Sequence, residues 1–159
     1  MRRPKKLLIL GGGAGGLIIS REVRDLLGPE DVEITVIDMK DRTEFRPSYL
    51  YVAFGYRRPE QISAPLVNLR KYGINFVKAR VTRIDAANRR VHTTAGEFTY
   101  DDLVVALGAE TVDVGFPHPW ELNSAIKVAE TVSQFNSGHI VIGVHSSIYR
   151  CPPAPVEFA

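Results

Sequence analysis

Lys6-Leu7-Leu8-Ile9-Leu10-Gly11-Gly12-Gly13-Ala14-Gly15-Gly16 opens the chain, and Glu33-Ile34-Thr35-Val36-Ile37-Asp38 follows it after one helical stretch. The first run is apolar and closed by glycines, the pattern of a strand buried on both faces. From Leu17 to Leu27, the apolar residues Ile19, Val23, Leu26 and Leu27 share one helical face. Gly28-Pro29 then supplies the stop, a flexible residue followed by one that cannot continue the helix. Glu33 to Asp38 is β-branched and reads as a second strand ending in an acid. These pieces make a β-α-β unit with parallel strands and a right-handed crossover.

Gly11-x-Gly13-x-x-Gly16 falls where the strand turns into the helix, and Asp38 stands 22 positions after Gly16. The first glycine permits a tight turn, the second lets backbone approach a pyrophosphate, and the third lets helix and strand pack closely. A phosphate group can then rest on the free N–H groups of the turn, Gly11 to Gly16 with Ala14 and Gly15 between, where the helix dipole favours negative charge. Asp38 would accept hydrogen bonds from an adenosine ribose and would repel a 2′-phosphate, which disfavours NADP. A turn that is glycine-rich for packing alone is the alternative, and the strand, helix and acid in register weigh against it.

The composition suits a globular domain: 159 residues, 45% hydrophobic, 24% charged, with a formal charge of +2. So small a charge gives no case for nucleic acid. The doublets Arg2-Arg3, Lys5-Lys6, Arg57-Arg58 and Arg89-Arg90 are scattered and read as solvated surface. Cys151 is the single cysteine, so no disulfide framework exists within the chain. The apolar run at Leu7 to Leu10 is too short for a signal or membrane segment, and a cytoplasmic compartment is expected.

Further on, Arg42 to Gln61 is irregular and rich in aromatics, and Pro65 to Tyr72 reads as a short helix closed by Gly73. Phe76 to Ile84, Val91 to Thr94 and Glu97 to Tyr100 alternate and read as an antiparallel meander. Leu103 to Leu107, closed by Gly108, is again a buried strand. Leu122, Ala125, Ile126, Ala129 and Val132 mark a helix ended by Asn136-Ser137-Gly138, and Ile140 to Val144 reads as a last buried strand. His92, His118, His139 and His145 lack metal-ligand spacing, so no metal site is expected. His145 reads as a structural histidine near the expected crevice.

The fold class is thus α/β: a Rossmann-like parallel sheet with an inserted antiparallel meander, then the start of a second Rossmann-like domain. A plain NAD-binding domain would continue β-α-β, whereas here the meander intervenes. With Tyr100-Asp101-Asp102-Leu103-Val104-Val105-Ala106-Leu107-Gly108-Ala109, the chain resembles the pyridine nucleotide–disulfide oxidoreductase superfamily. That stretch is similar to the superfamily's second FAD motif, with Leu107 in place of the usual threonine. Phe45-Arg46-Pro47-Ser48-Tyr49-Leu50-Tyr51-Val52-Ala53-Phe54-Gly55 resembles the flavin-approaching segment of sulfide:quinone oxidoreductases and flavocytochrome c sulfide dehydrogenases. Cys151-Pro152-Pro153-Ala154-Pro155 is similar to the redox-cysteine motif of the same group.

The resemblance implies an FAD cofactor held by Gly11, Gly13, Ala14, Gly15, Gly16, Asp38, Arg46, Pro47, Ser48, Val81, Ala106, Leu107 and Gly108. Val81 enters because the middle of the meander, Arg80-Val81, lies along the adenine in the family. It implies residues 1–110 as the FAD-binding domain, to be completed by later chain, and 111–159 as the start of a second dinucleotide-binding-like domain carrying Cys151. Cys151 is then the catalytic residue. Context supports it over a small buried hydrophobe: it follows an expected strand, two prolines fix its backbone, and Arg150 beside it would favour the thiolate. In relatives two cysteines form a disulfide or polysulfide bridge that hydrosulfide attacks, and two electrons pass through the flavin to a quinone or cytochrome. A sulfide or thiol donor and a quinone-type acceptor follow as partners, with peripheral membrane contact and a homo-oligomer left open. The His118-Pro119-Trp120-Glu121-Leu122 neighbourhood holds no third cysteine, which points to a two-cysteine arrangement or a different substrate. Type II NADH:quinone oxidoreductases share the architecture but need a second glycine turn. Here Val144-His145-Ser146-Ser147-Ile148 follows Gly143, so NADH is disfavoured. A non-catalytic dinucleotide-binding fragment is the third reading.

Overall fold

The computed structural model describes residues 3–112, 115–144, 151 and 153–157. In chain order the elements are β1 (Lys5–Leu10), α1 (Ala14–Leu26), β2 (Val32–Asp38), β3 (Arg42–Glu44), α2 (Tyr49–Ala53), β4 (Ser63–Pro65), β5 (Asn75–Lys78), β6 (Val81–Asp85), β7 (Arg90–Thr93), β8 (Gly96–Thr99), β9 (Asp102–Val105), α3 (Leu122–Gln134) and α4 (Ala154–Glu157). Short 3-10 turns at Arg46–Ser48, Pro59–Ile62 and Leu66–Tyr72 fill the connections.

β1, β2, β5 and β9 form one parallel sheet in the order β5-β2-β1-β9. The centre of this sheet is fully buried: Ile9, Leu10, Val36 and Ile37 are 0% exposed. That explains the continuous apolar runs, since a parallel strand covered on both faces has no polar side to show. On one face Leu7, Ile9, Ile34 and Val36 pack with Leu66, Leu69 and Ile74, and α1 adds Leu17, Ile19 and Val23. On the other, Leu8, Leu10 and Ile37 meet Ala79 and Val91 from the direction of a three-stranded antiparallel sheet, β6-β7-β8. The Rossmann-like sheet and the inserted meander therefore stand as the sequence led one to expect.

Four readings differ. β9 ends at Val105, short of Leu107, and as the edge strand of the sheet it leaves Val105 and Leu107 exposed. α1 starts at Ala14, a turn earlier than Leu17, with Gly15 and Gly16 inside it. The stretch Phe76 to Ile84 is not one meander strand. Asn75–Lys78 joins β2 in the parallel sheet, and Val81–Asp85 alone pairs with β7. The chain changes sheets at Ala79-Arg80 with no glycine or proline to mark the step: the Ala79 amide still bonds to the Asp38 carbonyl, while Arg80 and Thr94 already face each other across the meander. Ile140 to Val144 forms no strand and is exposed, with Val141 90% accessible. A buried parallel strand needs partners on its flanks, and no described strand lies beside it.

The region from Arg42 to Gln61 is more ordered than its composition suggests. β3 pairs with β4, and α2 packs against α3 through Tyr49, Val52, Ala53, Ile62 and Ala125. The Tyr49 hydroxyl donates to Glu44 Oε2, tying α2 to β3. No described helix is long and apolar enough to cross a membrane.

Candidate functional site

In the parallel sheet the chain runs outward from β1 through β2 to β5, then returns to the other side of β1 as β9. The reversal lies between β1 and β9, and in open α/β sheets ligands bind beyond the carboxyl ends of the strands at such a point. The residues there are the glycine turn after β1 and Ala106 after β9.

Backbone contacts explain two of these glycines, and at Gly12 a methyl group would come within 2.7 Å of the Leu66 side chain. Gly11 has φ +107, which side chains rarely adopt, and a methyl group on it would overlap the Ala106 carbonyl, whose carbon would be 2.7 Å away. A methyl group on Gly16 would overlap the Gly11 carbonyl oxygen. Gly16 thus lets α1 press onto the end of β1, and Gly11 lets the turns after β1 and β9 touch. Gly13 is different. It has φ −80, ordinary for any residue, and a methyl group there would meet nothing within 4 Å. Among the described residues no packing contact requires glycine at that position.

Gly13 is also the N-cap of α1, with no side chain capping the helix and no acid in its first turn. Leu17 donates to the Gly13 carbonyl at 2.9 Å. Among the described residues no backbone acceptor bonds the amides of Gly13, Ala14 or Gly15. These donors project at the positive end of the helix dipole, over open space, as an anion-binding backbone requires. The fit to a dinucleotide phosphate is therefore good: backbone donors with no described acceptor, beside a glycine that no described packing contact requires.

Asp38 lies beside the turn. Its Oδ2 accepts from the Gly12 amide at 2.7 Å and its Oδ1 from the Lys40 amide at 2.7 Å. The carboxylate thus braces the glycine turn, and each oxygen keeps a further lone pair for a ligand hydroxyl. A bracing role of this kind cannot be read from spacing alone.

An open cleft of about 360 Å³ extends from the first turn of α1, bordered by Ala14 and Leu17 on one side and by Glu44, Phe45 and Arg57 on the other. Arg46 and Pro47 are exposed, while Ser48 is 1% exposed and accepts from Arg57 Nη1 at 2.8 Å. Ser48 therefore reaches the cleft only through Arg57. A cleft of about 400 Å³ between the parallel sheet and β8 involves Lys6, Glu33 and Asn75, at the other ends of the strands.

The structure brings Gly11, Gly13, Ala14, Gly15, Gly16, Asp38 and Ala106 together. Leu107 and Gly108 continue from Ala106 as exposed chain. Val81 turns its side chain into the core shared by Leu10 and Val91. Cys151 is half-buried and unpaired, and its carbonyl accepts from the Ala154 amide at the start of α4. No described contact joins it to the glycine turn. Arg150, His145, Ser146, Ser147, Ile148 and Pro152 lie outside the described residues. Arg57 is exposed, as its reading as surface charge expects, and it also lines the cleft, which its place in the sequence does not signal. Among the described residues no cluster of His, Cys, Asp or Glu could hold a metal ion.

Comparison with known proteins agrees with this geometry. Residues 5–143 match the family model described as pyridine nucleotide-disulphide oxidoreductase. The chain is 32% identical, over a 166-residue alignment, to the sulfide-quinone reductase of Aquifex aeolicus (strain VF5), covering 98% of this chain and 38% of that protein. It is 33% identical over 132 residues to a type II NADH:quinone oxidoreductase of Staphylococcus aureus, covering 79% and 33%. The solved sulfide:quinone oxidoreductase of Aquifex aeolicus aligns with a TM-score of 0.74 at 28% identity, over 82% of this chain and 32% of that one. NDH2 from Plasmodium falciparum shares the fold at a TM-score of 0.65 and 19% identity, over 80% and 28%. The chain spans well under half the length of these relatives.

Proposed function

The chain belongs to the pyridine nucleotide-disulphide oxidoreductase family, and from that premise we propose that it serves an FAD-dependent oxidoreductase that takes electrons from a sulfide or thiol donor and delivers them to a quinone-type acceptor. Gly13 carries the cofactor half of this reading, as a glycine with no packing reason beneath open space at a helix N-terminus. When bound, FAD supplies a two-electron acceptor. The amides of Gly13, Ala14 and Gly15 hold its diphosphate, Asp38 its adenosine ribose, and the backbone around Val81 borders the adenine. Ala106, Leu107 and Gly108 close the site from the β9 side, and Arg46, Pro47 and Ser48 flank it from the other.

The donor half rests on Cys151. Similarity to the sulfide-quinone reductase runs over 98% of the chain, whereas similarity to the NADH:quinone oxidoreductase runs over 79%. Cys151-Pro152-Pro153-Ala154-Pro155 supports the sulfide side, because prolines restrict the backbone and hold a thiol in place. In this role Cys151 provides one sulfur of the bridge that the donor attacks, and a second sulfur comes from outside these residues.

The test is anaerobic addition of sulfide, then NADH, to the flavin-loaded protein while the visible flavin absorption is followed. Sulfide is expected to bleach it, and Cys151→Ser is expected to abolish that bleaching without loss of bound FAD. Bleaching by NADH alone would move the protein to the NADH-oxidising branch, which its 33% identity to the Staphylococcus aureus enzyme favours.

A further inference from the structure

Arg57 is exposed, but its backbone and its guanidinium are both tied to neighbouring groups. Gly55, with φ +73, ends α2 in the left-handed conformation glycine tolerates. Its amide bonds to the Val52 carbonyl at 3.0 Å, and the Tyr56 amide bonds to the Tyr51 carbonyl at 2.8 Å. This hydrogen-bond pair is the one that reverses a chain at a helix end. The Arg57 amide joins the same Tyr51 carbonyl at 3.1 Å, so the residue folds back along the helix it has just left. Its guanidinium lies 5.1 Å from the Tyr51 ring centroid, a cation–π distance, and donates to the hydroxyl of buried Ser48.

That hydroxyl uses one of five N–H donors, and no carboxylate pairs with Arg57 among the described residues. The cleft beside Arg57 does contain an acid, Glu44, but its Oε2 is already taken by the Tyr49 hydroxyl and lies 3.7 Å from Lys40 Nζ. Across the cleft stand Ala14 and Leu17 in the first turn of α1. The turn itself, Gly12 through Leu17, has no charged side chain. A helix terminus offers only about half a positive charge, so a side-chain cation facing it would add to the attraction for a diphosphate. Among the described residues that line this cleft, Arg57 is the one cation.

We infer that Arg57 is a second anion-holding residue of the dinucleotide site, a fixed cation that meets the diphosphate opposite the Gly13, Ala14 and Gly15 amides. The inference deepens the FAD reading and rests on it. Ser48 and Tyr51 act as its positioning residues.

The test is calorimetric titration of the flavin-free chain with FAD and, separately, with ADP, for wild type, Arg57→Gln and Arg57→Lys. Loss of a charge-assisted contact to phosphate is expected to weaken both ligands in Arg57→Gln by about tenfold or more. The salt dependence of binding becomes shallower, since one fewer ion pair forms. Arg57→Lys recovers part of the affinity, while the far-ultraviolet circular dichroism of each ligand-free variant stays that of the folded wild type. FAD and ADP affinities within twofold of wild type in Arg57→Gln would overturn the inference. So would weakened FAD with unchanged ADP, which would place Arg57 at the flavin end. A wild-type chain that binds neither ligand would instead overturn the FAD reading, and the role of Arg57 with it.

Discussion

Alanine at Gly13 and alanine at Gly16 should fail in opposite ways. At Gly16 the added methyl group overlaps the Gly11 carbonyl oxygen and comes within 3.2 Å of Ile9 Cγ2. The opposing atom is backbone of the central strand's own turn, so relief requires α1 to move off the sheet. Overpacking of this kind costs about 1–3 kcal/mol, and an unyielding neighbour puts it at the upper end. The better helix propensity of alanine returns about 0.8–1 kcal/mol, leaving a net loss of about 2 kcal/mol. For a domain of this size that lowers Tm by about 4–8 °C. At Gly13 the methyl group meets open space and φ is already permitted. Alanine is a poorer N-cap than glycine by roughly 0.5 kcal/mol, while reduced freedom of the unfolded chain offsets about 0.4–1 kcal/mol. Thermal stability of the flavin-free Gly13→Ala chain should therefore stay within about 2 °C of wild type. Its FAD affinity, read by quenching of flavin fluorescence, should fall at least about tenfold, because in the proposed site the methyl group stands where the diphosphate would come. Wild-type FAD affinity in Gly13→Ala, or a Tm loss equal to that of Gly16→Ala, would refute the distinction drawn between the two glycines.

Two pH-linked predictions follow from groups outside the glycine turn. The Asp101 carboxyl is held below its ordinary 3.8 by the Lys6 amide first and by Arg3 second. Its contribution is therefore whole above pH 3.8 and lost as pH falls through the lower folded value. Urea midpoints measured from pH 6 downward should drop less steeply below 3.8 in Asp101→Asn, and an identical acid limb in both proteins would contradict the assignment. Burial, then the hydrogen bond to Glu44, pushes the Tyr49 phenol above its ordinary 10.0. Its stabilising effect is intact below pH 10 and declines as pH rises beyond it, a decline Tyr49→Phe should lack. Near neutral pH the same substitution should lower stability by about 1.5 kcal/mol, the worth of a hydrogen bond to a charged acceptor. A denaturation midpoint equal to wild type would count against it.

The β1-α1-β2 unit could be read from sequence because everything that specifies it is local. The glycines, the apolar run and Asp38 sit within one stretch, and the steric roles assigned to Gly11 and Gly16 are those their neighbours impose. The meander was harder. Lys78 and Val81 belong to different sheets, but Ala79-Arg80 carries no turn residue, so one alternating run concealed two strands. The region from Arg42 to Gln61 concealed β3 and α2 because their order comes from partners distant in sequence: β4 for the first, α3 for the second. Ile140 to Val144 erred the other way, since its β-branched residues signal propensity and a strand also needs neighbours. Arg57 reads as surface charge and is exposed, but its approach to the cleft depends on the reversal at Gly55 and on the hydroxyl of buried Ser48, neither of which sequence shows.

The pairing of β1 with β9 has a consequence in time. The Lys6 amide and the Asp101 carboxylate that fasten these strands are 95 residues apart in the chain, so the glycine turn cannot reach its final shape when it first leaves the ribosome. At roughly 5–20 residues per second, about 5–20 s of synthesis separate the glycines from the Ala106 carbonyl that Gly11 leaves room for. Through that interval one side of the most apolar strand waits without a partner, and contacts of such long sequence separation form slowly. Nascent chains should therefore acquire affinity for nucleotide only after β9 has emerged.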